Sequence, residues 1–289
     1  AIDDEWYEDF ARLDIHGYAE DYSLELDLGD LAEITHPVLV GYGWVDYAHS
    51  TSNWSAAQRG LALYPPRLEV ADGRGGWVEV SADMGSPAGL PKHMLFDLKG
   101  LFPSDDYRLR ITTNTALYWD QFAIGDAADV PLVVQRLKPA ASDLHWRGYP
   151  AHTAIAGTFA FRYHYDQLQL EAPWGTHGGA FTRHGPVGPL LQAVDDRYAI
   201  MFHGDELTIE FDAGALPPVA VGTTRSFLLY ADGFGKDMDF HSAHSLSVEP
   251  LPFHGMSSYP YPKDEHYPQT SAHLEYLQEY NTRMVKGYF

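Results

Sequence analysis

Between Arg67 and Val80 the chain reads RLEVADGRGGWVEV, two short runs of alternating apolar and polar residues separated by Asp-Gly and Gly-Gly steps. A side-chain period of two suits a strand with one buried face, and the glycines supply the positive φ that a tight turn demands. The stretch therefore specifies a β-hairpin. An isolated hairpin is marginal in water, so a chain built of such pieces must stack its sheets to bury their apolar faces.

The same grammar recurs through the first half. SLELDL (Ser23 to Leu28), the Val-, Gly- and aromatic-rich Val38 to Val45, HMLFDL (His93 to Leu98), YRLRITT (Tyr107 to Thr113) and LYWDQFAI (Leu117 to Ile124) follow at short spacing, with Gly, Pro and Asp between them. Short strands at this spacing predict a mainly β fold, with a jelly-roll or galactose-binding-like sandwich over 23–126. An acidic segment, 1–22, precedes it, and DDEWYEDFARL within that segment is expected to form a short helix.

A second β unit is expected over 127–262. It begins with LVVQRLKP, carries a long Gly/Pro/aromatic stretch from Trp146 to Pro189, and offers YAIMF (Tyr198 to Phe202), ELTIEF (Glu206 to Phe211) and SFLLYADG (Ser226 to Gly233) as strands. These form a second sandwich or complete the first. The last region, 263–289, is expected to be an arm and an amphipathic helix over Ser271 to Val285. Leu274, Leu277, Tyr280 and Met284 recur there at helical spacing, with Ser271 as N-cap.

Charge narrows the partners. Forty acidic against 19 basic residues give a formal net charge of -21, spread along the chain. Such a surface repels phosphate backbones and anionic lipid head groups, which argues against nucleic-acid binding. No run approaches the roughly 18 apolar residues of a spanning helix, so membrane insertion is not expected. With no cysteine, disulfides, thiolate metal sites and cysteine nucleophiles are excluded. Ala1 is not preceded by a charged-then-apolar leader, and is read as a mature N-terminus or a processing boundary.

Several long motifs resemble one family. GWVDYAHSTSNWSAAQRGLALYPPRLEV, DMGSPAGLPKHMLFDLKGLF, YRLRITTNTALYWDQFAI, WGTHGGAFTRHGPVGPLLQAVDD and LLYADGFGKDMD, with the later VEPLPFHGMSSYPYP and HLEYLQEYNTR, are similar to the C-terminal region of bacterial FG-GAP/ASPIC-UnbV (cartilage acidic protein-like) proteins that also carry TPR modules. The resemblance implies an exported bacterial protein, periplasmic or extracellular, used in binding or assembly. The propeller and TPR portions of the larger members are missing, which implies a processed fragment or a stand-alone subunit.

The chemistry-bearing residues concentrate in LYADGFGKDMDFHSAHSLSVEPLPFHGMSSYPYP, Leu229 to Pro262. Asp232, Asp237, Asp239, His241 and His244 are a candidate site for calcium or another divalent cation: oxygen and nitrogen together would suit zinc, manganese or iron, whereas calcium would want the oxygens alone, and the calcium-loop template is not matched. The competing reading is that the aspartates cap turns through backbone amides. His254, and His177 and His184 in WGTHGGAFTRHG, are read as satisfying orphan backbone carbonyls or contacting a ligand. Adjacent acids such as Asp195 and Asp196 point to opposite faces of a strand and form no acid–base pair by themselves.

Ligand or partner contact is expected of Trp44, Tyr47, Trp54, Trp119, Trp174, His177, His254, Tyr259 and Tyr261, with Tyr118 beside Trp119. Core packing is the alternative for each aromatic. No nucleophile elbow, zinc-protease helix, phosphate loop or dinucleotide fingerprint occurs. The favoured function is a non-catalytic, exported interaction or assembly subunit that binds a partner protein through its Pro/Tyr-rich arm and C-terminal helix. The alternatives are a carbohydrate-binding module that binds a glycan, and a metal-dependent or glycan-acting enzyme.

Overall fold

The computed structural model describes residues 6–127, 133–154, 161–171, 175 and 177–287. The protein is mainly β, built of antiparallel sheets with a C-terminal helix. It divides into two compact units, Ala1–Leu132 with Gly157–Ala160, and Val133–Ala156 with Phe161–Phe289. The C-terminal arm and helix fall in the second unit.

The first unit contains β1 (Tyr18–Asp27), β2 (Pro37–Val45), α1 (Ser50–Gln58), β3 (Arg67–Ala71), β4 (Trp77–Ser81), β5 (Lys92–Asp97), β6 (Arg108–Thr115) and β7 (Leu117–Asp126). One sheet has the order β1-β6-β3-β4 and the other β5-β2-β7. Their inward residues, including Leu39, Val70, Leu109, Ile111, Leu117 and Trp119, share one core, so the two sheets form a sandwich.

The expected hairpin is β3–β4. Its turn is held by the Asp72 carboxylate, which accepts from Arg74 N at 2.7 Å and Gly76 N at 2.8 Å. Those two backbone donors hold the Asp72 carboxyl below the usual aspartate range. On β2, Gly41 and Gly43 face the Trp119 ring, and a Cβ on Gly43 would lie 2.5 Å from its Cε3. Only glycine leaves room for an indole laid against the strand.

The acidic opening is not helical over the described residues 6–13. Its backbone instead bridges to the sandwich, with Tyr7 N donating to Trp119 O, because an edge hydrogen bond satisfies it better than a solvated short helix. The helix that does form, α1, has Ala56 as its buried residue and is tied down by Tyr18 Oη donating to Asn53 Oδ1 at 2.9 Å.

The second unit contains β8 (Ala141–Trp146), β9 (Tyr149–Ala154), β10 (Phe161–Gln169), β11 (Gly179–Phe181), β12 (Gly185–Pro186), β13 (Asp205–Glu210), α2 (Ser271–Glu279) and β14 (Arg283–Val285). β12, β8 and β13 form one sheet, β9 pairs with β10, and β11 pairs with β14. Leu144, Val187 and Leu190 pack against Tyr276 and Tyr280 from α2 and its C-cap. Leu277 reaches a second cluster of Phe181, Val248 and Leu251.

Three sequence expectations fail in this unit. Tyr198 to Phe202 is not a strand. It is held by Thr182, which donates from N to Ile200 O at 3.1 Å and accepts at Oγ1 from Ile200 N at 2.7 Å. Ser226 to Gly233 has no strand partner among the described residues and lies exposed. The C-terminal helix stops at Glu279 instead of Val285, because Arg283 to Val285 pair with Phe181 to Gly179. Its N-cap is Thr270, one residue before the expected Ser271.

Candidate functional site

The Asp/His-rich stretch folds as consecutive turns. Asp237 Oδ1 accepts from Asp239 N at 3.2 Å, and Asp239 Oδ1 accepts from His241 N at 2.9 Å. Each carboxylate thus caps the backbone two residues on, the local bond that D-x-D spacing permits. His244 sits at φ 52 with its ring 6.5 Å from that of Tyr259. Among the described residues no group of three or more His, Asp or Glu side chains is arranged to hold a metal ion. Asp232, Asp237, Asp239, His241 and His244 are therefore not gathered into a calcium or other divalent-cation set.

Asp232 goes elsewhere. Its Oδ1 lies 2.9 Å from His254 Nε2, while His254 Nδ1 lies 2.6 Å from Asp196 Oδ1. The same Asp196 oxygen accepts from His254 N at 2.8 Å and Tyr198 Oη at 2.8 Å, and Tyr267 Oη donates to the Asp196 carbonyl. The Phe234 ring stands edge-on to His254 at 5.5 Å and to Tyr198 at 5.9 Å. Asp196 holds φ 62, a left-handed conformation that Asp tolerates better than most residues.

The electrostatics follow from these bonds. The Asp196 carboxylate, then that of Asp232, favours a charged ring and raises the His254 pKa above its usual value. Burial alone would raise Asp196, but donors from the His254 ring and backbone and from Tyr198 outweigh it and hold the carboxyl below its usual range. With a carboxylate on each ring nitrogen, His254 has no nitrogen left to take a proton from a substrate while the arrangement is closed.

Immediately before this cluster runs an apolar surface. Phe227, Leu228, Leu229 and Tyr230 are 67%, 99%, 73% and 80% exposed. All four consecutive large side chains of this segment are thus uncovered. Val221 and Phe240, further along the chain on either side, are also exposed.

The aromatic candidates divide by burial. Trp119 is 2% exposed and lies in the sandwich core against Phe122 and the β2 glycines, a packing role that removes it from any ligand surface. Tyr118 is buried under Trp44, whose Nε1 donates to Gly89 O at 2.9 Å. Tyr47 and Trp54 are exposed, on different local elements. Tyr259 donates to Pro250 O at 2.9 Å and lies under Lys236 Nζ, while Tyr261 packs on Phe253. Trp174 lies outside the described residues.

His177 is buried, its Nε2 has no hydrogen-bond partner among the described residues, and desolvation lowers its pKa. His184 Nε2 lies 3.0 Å from Asp205 Oδ1, in a network that also contains Arg283.

Sequence reasoning missed Asp196, which it placed on a strand, and the face of β10. There Phe161, Tyr163 and Tyr165 alternate along one side, with the Tyr163 and Tyr165 rings 6.2 Å apart and 29° from parallel. The period-two run FRYHY carried that signal. Compared with known proteins, the chain matches no family model, no curated protein and no solved structure.

Proposed function

We propose that this chain is a non-catalytic interaction subunit that docks on a partner protein through Phe227 to Tyr230. The observation that carries the reading is the exposure of four consecutive large apolar side chains. Paired as a strand, four consecutive apolar residues would present apolar side chains on both sides, the kind that sits inside a sheet covered on two faces. The fitting partner offers an unpaired sheet edge and receives the segment by strand addition. Fully burying four such side chains favours association by roughly 1.5–3 kcal/mol each, against an association cost of about 4–15 kcal/mol. The partner is neutral or basic, because a net charge of -21 opposes a second copy of this chain.

Substituting Tyr230 with a photoreactive phenylalanine in the source cells, with light scattering on the purified chain, tests this. One predominant adduct with a different protein is expected, mapped to a strand edge of that protein and lost in Leu228→Asp. Adducts only with a second copy of this chain, or unchanged yield in Leu228→Asp, would overturn the reading.

The β10 face favours a second reading, glycan binding, because sugar rings stack on exposed aromatic faces. Calorimetry with neutral oligosaccharides expects binding that disappears in Tyr165→Ala. Heats no greater than buffer dilution would eliminate it.

A further inference from the structure

Two residues beyond the docking segment stands Asp232, held by a histidine that a second carboxylate also holds. We propose that Asp196, His254 and Asp232 form a proton-operated clasp that fixes the C-terminal end of the docking segment. The clasp is closed while the imidazole carries two protons and opens when one leaves. This rests on the reading of Phe227 to Tyr230 as the docking strand, whose regulation it supplies.

Both ring nitrogens of His254 lie within hydrogen-bond distance of a carboxylate oxygen, and carboxylates only accept, so both nitrogens must carry hydrogen. A neutral imidazole has one N–H and can serve only one of them. Asp196 keeps its claim on that proton, since the His254 backbone amide and Tyr198 hydroxyl already fix its Oδ1 beside the ring. Asp232 has no other hydrogen-bond donor among the described residues. On deprotonation its carboxylate therefore faces a nitrogen lone pair, and repulsion replaces the bond.

The surrounding groups do not supply the missing charge. Arg197 is engaged by Asp195, His273 Nε2 lies 3.1 Å from the Asp195 carbonyl, and Tyr267 donates to the Asp196 carbonyl. Tyr198, with its pKa raised by burial and then by Asp196, stays protonated throughout the neutral range.

The sign follows from the raised folded-state value. The contribution of His254 is complete below its unfolded value of about 6.5 and is lost as pH rises through the higher folded value. Asp196, held below its usual value, gives way only in acid. The clasp is thus closed in mildly acidic solution and opens as pH rises through the raised His254 value.

The chain contains no cysteine, so Ala231→Cys places one spin label beside Asp232. Its resonance spectrum is recorded from acid to alkaline pH with no partner present, alongside nuclear magnetic resonance titration of the His254 ring. The expected result is an immobilised component that converts to a mobile one, with a midpoint above about 6.5 that coincides with the His254 titration. In Asp232→Ala the label is expected to be mobile at every pH, and the His254 midpoint to move down.

An unchanged spectrum across the range, or the same transition in Asp232→Ala, would overturn the clasp. So would an identical transition in a label at Leu90→Cys, an exposed site in the first unit. Because no partner is present, failure of the docking reading leaves this result intact, and loss of the transition leaves docking untouched.

Discussion

Replacing Asp205 by alanine should cost the second unit more stability than any other single carboxylate described above. The Asp205 side chain is 0% exposed and that of Arg283 21%. Arg283 donates to both carboxylate oxygens, Phe202 N donates to Oδ2 at 2.9 Å, and His184 Nε2 lies 3.0 Å from Oδ1. Removing one partner of a buried, hydrogen-bonded ion pair leaves the other charge uncompensated and costs roughly 3–5 kcal/mol. With a urea slope of about 2 kcal/mol/M for a domain of this size, the midpoint should fall by about 2 M.

The assay is equilibrium urea unfolding followed by tryptophan fluorescence, with Asp143→Ala as the comparison. Asp143 lies on neighbouring β8 and is 53% exposed beside His145 at 3.3 Å, so its loss should cost under about 0.5 kcal/mol. Arg283→Ala strands the buried carboxylate instead and should cost a similar amount to Asp205→Ala. The double variant should then be less damaged than the sum of the two, because neither charge is left alone. A midpoint for Asp205→Ala within about 0.5 M of the parent, or strict additivity in the double variant, would refute the reasoning.

Three further outcomes are expected. Gly43→Ala puts a methyl 2.5 Å from the Trp119 ring, and overpacking of that kind should cost the first unit about 1–3 kcal/mol in thermal unfolding. Tyr276→Phe removes the buried hydroxyl that donates to Tyr198 O at 2.9 Å and should cost about 0.5–1.5 kcal/mol, without altering the helical circular dichroism of α2. Glu69 accepts from both Arg110 and Thr112, and Arg110, its largest influence, keeps its carboxyl below the usual glutamate value. Its contribution is complete above about 4.3 and fades as pH falls through the lower folded value, so acid unfolding should be less steep in Glu69→Gln.

The first unit was legible because its strands bury one face, and one buried face writes a period of two into the sequence. The runs beginning at Val38 and Arg67 and the run at Leu117 lie within observed strands or end within a residue of them. α1 was not legible, since STSNWSAAQ has no apolar stripe at helical spacing and buries chiefly Ala56. Its position depends on the Tyr18 to Asn53 bond across 35 residues of chain. SFLLYADG was read as a strand because its residues favour one, but a strand also needs an edge, and composition says nothing about who provides it. The turn-capping aspartates were readable from their spacing. The partners of His254 were not, because Asp232 and Asp196 stand 22 and 58 residues away.

Two histidine–aspartate groups in the same unit illustrate why similar residue types have different fates. The Asp205 side chain is fully enclosed and receives bonds from Arg283, whose charge persists across the neutral range, so the carboxylate stays paired independently of His184. Asp232 is 29% exposed and has His254 as its donor, so the loss of one proton removes its bond, and water can take over the solvation of the freed carboxylate. Burial with redundant donors makes a fixed support. Partial exposure with a single titratable donor makes a contact that can open at low cost, and it is this second kind that lies at the end of the exposed apolar segment. A structural histidine there would be expected to leave the segment equally ordered on either side of the His254 titration, whereas a switching one must change its order across it, so the order of the segment separates the two fates by measurement.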